Sequence, residues 1–92
     1  MDFEWDETKN RSNLEKHGVD FSIMHDFDWD RASLRIDDRQ DYGEERLMAY
    51  GPVGDKLYVI VFTMRAGKYR IISARRFGRK DHQFYEQPKS SS

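Results

Sequence analysis

Leu57-Tyr58-Val59-Ile60-Val61-Phe62-Thr63 is an unbroken stretch of aliphatic, aromatic and β-branched residues. A strand with one wet face alternates apolar and polar residues, so this run reads as a central β-strand covered on both faces. Its surroundings supply partners for it. Ala66-Gly67 makes a tight connection to Tyr69-Arg70-Ile71-Ile72-Ser73-Ala74, which predicts a hairpin. Upstream, Glu45 to Tyr50 reads as a strand that ends in a turn over Gly51-Pro52-Val53-Gly54-Asp55. Ser33-Leu34-Arg35-Ile36-Asp37 alternates as a half-buried strand, followed by a polar connection from Asp38 to Tyr42.

The first third of the chain is different in kind. Phe3-Glu4-Trp5 is a short strand signal that stops at Asp6, whose carboxylate can cap a helix. That helix is expected from Glu7 to His17, with Gly18 as its left-handed terminator. Leu14 is its only large aliphatic residue, so a narrow seam of Asn10, Leu14 and His17 is expected to hold it. A second helix, capped by Asp20 or Ser22, is expected to bury Phe21, Met24 and Phe27 and to end by Asp28. A last short helix runs from Gly78 through Phe84 and Tyr85. The order is β-α-α-β-β-β-β-α. It predicts an α+β fold in which an antiparallel meander has two helices before it and one after.

Ninety-two residues make a single domain, expected over residues 1–86 with a polar tail at 87–92. Cysteine is absent, which removes disulfides and thiolate chemistry, and His17, His25 and His82 lack zinc-type spacing. No metal or other cofactor is expected. No apolar run approaches the roughly 20 residues of a membrane span. The opening residues lack the basic and apolar regions of a signal peptide, so the expected location is the cytoplasm.

The formal net charge of -1 conceals a separation. Residues 1–45 hold fourteen Asp and Glu against six Lys and Arg, whereas residues 46–92 hold three against ten, giving -8 and +7. Between Arg65 and Lys80 stand seven cations and no carboxylate. This pattern suggests a surface for a polyanion, since each phosphate contact releases condensed counterions. The alternative is that the two halves fold together and neutralise each other.

Several residues carry the polyanion reading further. Lys9, Asn13 and Lys16 fall at i, i+4 and i+7 of the first helix and form one stripe able to hold phosphate oxygens. His17 lies in the last turn, where the helix dipole favours the imidazolium and is expected to raise its pKa. Strict alternation on the last strand puts Tyr69, Ile71, Ser73 and Arg75 on one face and Arg70, Ile72, Ala74 and Arg76 on the other. Consecutive Arg75 and Arg76 therefore diverge, one toward a ligand and one toward a partner or the sheet. Arg65 is separated from Arg75 by about six strand residues, roughly 20 Å, and lies near Glu44 and Glu45. It is a substrate-track candidate or a structural ion pair. Arg79 and Lys80 extend the basic stretch, and Tyr85 is placed to stack on a base or bond a phosphate.

The block Phe3 to Phe21 (FEWDETKNRSNLEKHGVDF), then Gly43 to Leu47 (GEERL), then Arg70 to Arg76 (RIISARR) with its following basic helix, closely resembles the BrnT toxins of bacterial type II toxin-antitoxin systems. The resemblance implies a RelE-like fold and a small ribonuclease that cleaves RNA and arrests translation. It also implies neutralisation by a DNA-binding antitoxin, BrnA, through which the complex would bind operator DNA. The positions that recur in the family fall on Lys9, Asn13, Lys16, His17, Arg65, Arg75 and Arg76. Phe77-Gly78 departs from the smaller or polar residues expected after the arginine pair.

The resulting expectation is a metal-independent endoribonuclease in which the ribose 2'-OH attacks the adjacent phosphate. Arg75, Arg76, His17 and Arg65 are the catalytic candidates, and Lys9, Asn13, Lys16, Arg79, Lys80 and Tyr85 are the RNA contacts. The alternative is a non-catalytic RNA-binding or protein-interaction module that uses the same basic surface.

Overall fold

The computed structural model describes residues 2–39 and 41–85; the expected tail at 87–92 lies outside them. The uninterrupted apolar run becomes β4 (Lys56–Arg65), the middle of a five-stranded sheet of order β1-β5-β4-β3-β2. Its neighbours are β3 (Arg46–Val53) and β5 (Lys68–Arg76), both antiparallel to it. β2 (Ser33–Asp37) forms one edge, against β3. β1 (Phe3–Glu4) forms the other edge and runs parallel to β5, through Phe3↔Tyr69 and Glu4↔Arg70. The sheet is therefore mixed, not the purely antiparallel meander expected from sequence. Two residues are too few to announce a parallel pairing with a strand that follows 64 positions later.

The two sides of the sheet bury different clusters. On the first face Ala49, Ile60, Phe62, Ile71 and Ala74 pack beneath Val19, Phe21, Met24 and Phe27, with Phe3, Trp5 and Trp29 around them. On the second face Met48, Tyr50, Val59 and Val61 pack with Tyr85, Ile72, Phe77 and Phe84. Val59 and Ile60, adjacent on β4, are both fully buried, as a strand covered on both faces requires.

Only one α-helix precedes the meander, α1 (Glu7–His17). The expected second helix is instead a 3-10 turn, Phe21–His25, and a further one covers Trp29–Arg31. The apolar residues Phe21, Met24 and Phe27 recur every three positions, the period of a 3-10 turn. Asp20 and Asp28 cap the starts of these turns by accepting from the backbone N–H of Ser22 and Asp30. The last element, Arg79–Phe84, is likewise a 3-10 helix.

The turn expected over residues 51–55 also contracts. Gly51, Pro52 and Val53 belong to β3, and the reversal is made by Gly54 (φ 61°) and Asp55 alone. Proline is tolerated there because β2 reaches only as far as Tyr50, through Ser33, so no ladder bond is lost on that side. Gly51 is needed for closeness: a Cβ at that position would lie 2.8 Å from Phe27 Cζ.

A bulge in β5 changes which way its side chains point. Val61 pairs with Ser73 but Phe62 pairs with Ile71, leaving Ile72 as an extra residue. Beyond it the alternation is inverted. Ala74 and Arg76 share the first face with Ile71 and Tyr69, while Ser73 and Arg75 share the second face with Ile72 and Arg70. The alternation expected from sequence, which put Ser73 and Arg75 with Ile71, is corrected by this one residue.

Candidate functional site

α1 is bounded as its sequence dictates: Asp6 accepts from Thr8 N–H at 2.8 Å, and Gly18 (φ 71°) donates to Leu14 O at 2.8 Å. Its attachment is polar. Leu14 is 45% exposed, and the buried residues of the helix are Asn10 and Asn13. Asn10 Oδ1 accepts from Phe21 N–H (2.8 Å), and its amide nitrogen donates toward Glu7 and Asp20. Asn13 donates to Ala74 O (2.8 Å) and Val19 O (2.9 Å) and accepts from Ala74 N–H (3.1 Å). Because β1 pairs with β5 only at Tyr69 and Arg70, the β5 edge is open further along. There the Asn13 amide bonds Ala74 as a neighbouring peptide would. Asn13, expected as an RNA contact, lines the groove beside α1, with its amide buried and bonded to the protein's own backbone.

Lys9 and Lys16 remain exposed on the same helix. With Thr8, Ser12 and His17 they face Ile72 and Ser73 of β5 across an open groove of about 250 Å³, and the bulge brings those two strand residues to it. No carboxylate lines this groove. His17 is half-buried, and its pKa is lowered, first by burial and then by the charges of Lys16 and Arg75. The rise expected from the helix dipole is overturned, since desolvation and two neighbouring cations oppose the imidazolium.

Arg75 lines a second depression of about 300 Å³, together with Arg35, Asp37, Asp38, Tyr50, Asp81 and Phe84, and its charge reaches His17 of the first. Its guanidinium is held by Asp81, with Nη1 to Oδ2 at 2.6 Å and Nη2 to Oδ1 at 3.1 Å, and Nη1 also donates to Arg76 O at 3.2 Å. Asp81 accepts in addition from Gly78 N–H at 2.6 Å. Arg75 and the Gly78 amide keep the Asp81 carboxyl below its ordinary pKa despite its burial. The Arg35 guanidinium stacks 3.7 Å from the Phe84 ring centre. Burial raises the pKa of the Tyr50 phenol, partly offset by Arg35 and Arg75.

The fold thus brings Lys9, Lys16, His17 and Arg75 to one side of the molecule and leaves other candidates elsewhere. Arg76 points to the first face, exposed, with its guanidinium 5.6 Å from the Tyr58 ring. Arg65 lies at the opposite end of the β4-β5 hairpin, paired with Lys68 in register and 3.6 Å from Glu44. Arg79 and Lys80 are exposed on the last 3-10 helix. Tyr85, expected to stack on a base, is instead buried, with its ring edge-on to Phe77 at 5.7 Å. Arg35, Tyr50, Ser73 and Asp81 were not singled out from sequence. Arg35 had a legible signal, as the one cation on the polar side of an alternating strand, whereas Asp81 meets Arg75 only through the turn at Gly78.

A larger depression of about 540 Å³ lies apart, among Asp2, Phe3, Trp5, Met24, His25, Phe27 and Trp29, and holds no lysine or arginine. A polyanion is better matched by the groove beside α1.

Residues 5–81 match the family described as "Ribonuclease toxin, BrnT, of type II toxin-antitoxin system". Among solved structures, the chain is similar to the ribonuclease toxin BrnT of Brucella abortus, with a TM-score of 0.65 and 26% identity, over 86% of this chain and 99% of that one. No curated protein matches it at a significant level.

Proposed function

This chain belongs to the BrnT family of ribonuclease toxins of type II toxin-antitoxin systems, and from that premise we propose that it is a metal-independent endoribonuclease acting at the groove between α1 and β5. The observation that carries the reading is that Lys9, Lys16 and His17 line a groove with no carboxylate among its described lining residues, while Arg75, from the neighbouring depression, is close enough for its charge to act on His17. Lys9 and Lys16 hold the phosphates of a single strand. Arg75 stabilises the charge that develops on the scissile phosphate. The lowered pKa of His17 keeps its imidazole neutral near pH 7, so it acts as the base. It takes the proton of the ribose 2'-OH as that oxygen bonds to phosphorus and the 5'-oxygen departs.

Metal independence is decided by whether cleavage persists in EDTA. In the cell the reading extends to arrest of translation in the cytoplasm and to neutralisation by a BrnA-type antitoxin. That antitoxin would carry the complex to operator DNA. The test is incubation of the purified protein with labelled single-stranded RNA in EDTA, beside Arg75→Ala. Cleavage by the parent and none by the variant is the expected result. Binding without cleavage would make the protein a non-catalytic RNA-binding module.

A further inference from the structure

Arg75 has five guanidinium hydrogens, and three are engaged. Asp81 takes one from Nη1 and one from Nη2, which is the end-on fork, and Arg76 O takes the second from Nη1. Among the described residues, the Nε hydrogen and the remaining Nη2 hydrogen have no partner. These two lie side by side on the other edge of the guanidinium plane, a second fork that matches two phosphate oxygens as well as the first matches a carboxylate. Asp81 is itself fixed. Its Oδ2 accepts from Gly78 N–H at 2.6 Å, and the residue is buried with both carboxylate oxygens bonded to the Arg75 guanidinium.

We propose that Asp81 is a positioning residue for RNA cleavage: it holds the end-on fork of Arg75 and leaves the side-on fork free to take the scissile phosphate. The inference rests on the reading of the groove as an RNA site. It assigns Asp81 a purpose beyond charge neutralisation. A free arginine side chain has many rotamers to lose on binding, and an arginine already held in one of them loses less when the phosphate arrives. Arg75 and Asp81 can therefore keep their pair throughout turnover, with no exchange of partners when RNA binds.

Two measurements test this, one of them independent of turnover. In the intact protein, titration with a single-stranded RNA oligonucleotide bearing a 2'-deoxy residue at the cleavage position is expected to shift the Arg75 Nε–H resonance while rotation of its guanidinium stays slow. Fast rotation on binding would mean that Asp81 lets go, and an unmoved Nε–H would mean that the free fork is not the phosphate site; either overturns the inference. In the kinetic arm Asp81→Asn, which retains an acceptor for Gly78, is expected to lower kcat about 10-fold or more through misplacement of Arg75, with a much smaller change in KM. Asp81→Asn should cost nothing further in an Arg75→Lys background, since lysine has no second fork to orient. An undiminished kcat for folded Asp81→Asn, or an equal loss in both backgrounds, would also overturn the inference. A parent protein that binds RNA without cleaving it would remove the ribonuclease reading, and the resonance titration would still decide the role of Asp81.

Discussion

Asn13→Ala removes three hydrogen bonds at once and leaves the N–H and C=O of Ala74 without their partner on the open edge of β5. A buried group deprived of its partner costs roughly 1–3 kcal/mol, so the substitution is expected to destabilise the protein by about 2–3 kcal/mol, read from urea denaturation. Asn13→Asp, which keeps the acceptor and loses the donor, should also destabilise. His17 predicts a pH effect. Its folded pKa lies below the unfolded value of about 6.5 because of burial, Lys16 and Arg75. The folded state then binds fewer protons near that pH. The His17 contribution is fully present above the unfolded pKa and is lost as pH falls through the lowered folded one. Cleavage by the parent should fall over the same acid window as the base is protonated, and His17→Gln should cleave at least about 100-fold more slowly with that limb of the pH profile gone. A near-parental rate per folded molecule would return His17 to a structural role. The residue types were legible from the sequence, but their surroundings were not. The lysines beside the groove could be placed by helical spacing, whereas the lowered pKa of His17 comes first from burial, which only the tertiary fold creates, and then from Lys16 and Arg75.

Among the elements, β4 announced itself because both of its faces are buried, and α1 because both of its ends are capped. The bulge at Ile72 gave no such signal: Ile71 and Ile72 are the same residue type, and either could be the unpaired one. Its position decides that Arg75, and not Arg76, turns toward the groove. Arg75→Ala is accordingly expected to abolish cleavage, while Arg76→Ala should leave it within a few-fold of the parent, measured on labelled RNA at equal folded concentration. The joint between β3 and the segment before Trp29 is equally exacting. Gly51→Ala would put a methyl group 2.8 Å from Phe27 Cζ, and the ring is enclosed in the core of the first face. Overpacking of that kind typically costs about 1–3 kcal/mol, so a lower melting temperature with unchanged turnover of the folded fraction is the expected outcome.

Across the whole molecule, the excess of carboxylates in the first half is only partly used to neutralise the second. Glu4 meets Arg70 at 3.0 Å and Glu44 meets Arg65 at 3.6 Å, yet no carboxylate lines the groove that holds Lys9 and Lys16. If Lys9, Lys16, Arg75 and Arg35 each neutralise one phosphate, the logarithm of RNA affinity should fall with the logarithm of salt concentration at a slope of about -3, taking ~0.7 per contact on a single strand. A slope near zero in a filter-binding titration would rule this footprint out. Each wall of the groove comes from a different end of the chain: α1 spans Glu7–His17 and β5 spans Lys68–Arg76, joined directly by Asn13 and Ala74. Contacts so distant in sequence form late, after the loops between them have closed. During synthesis, then, α1 can meet Val19 and Phe21 as soon as they emerge, but its bonds to Ala74 wait until the last strand has left the ribosome. A chain released before β5 is made carries one wall of the groove and no Arg75–Asp81 pair.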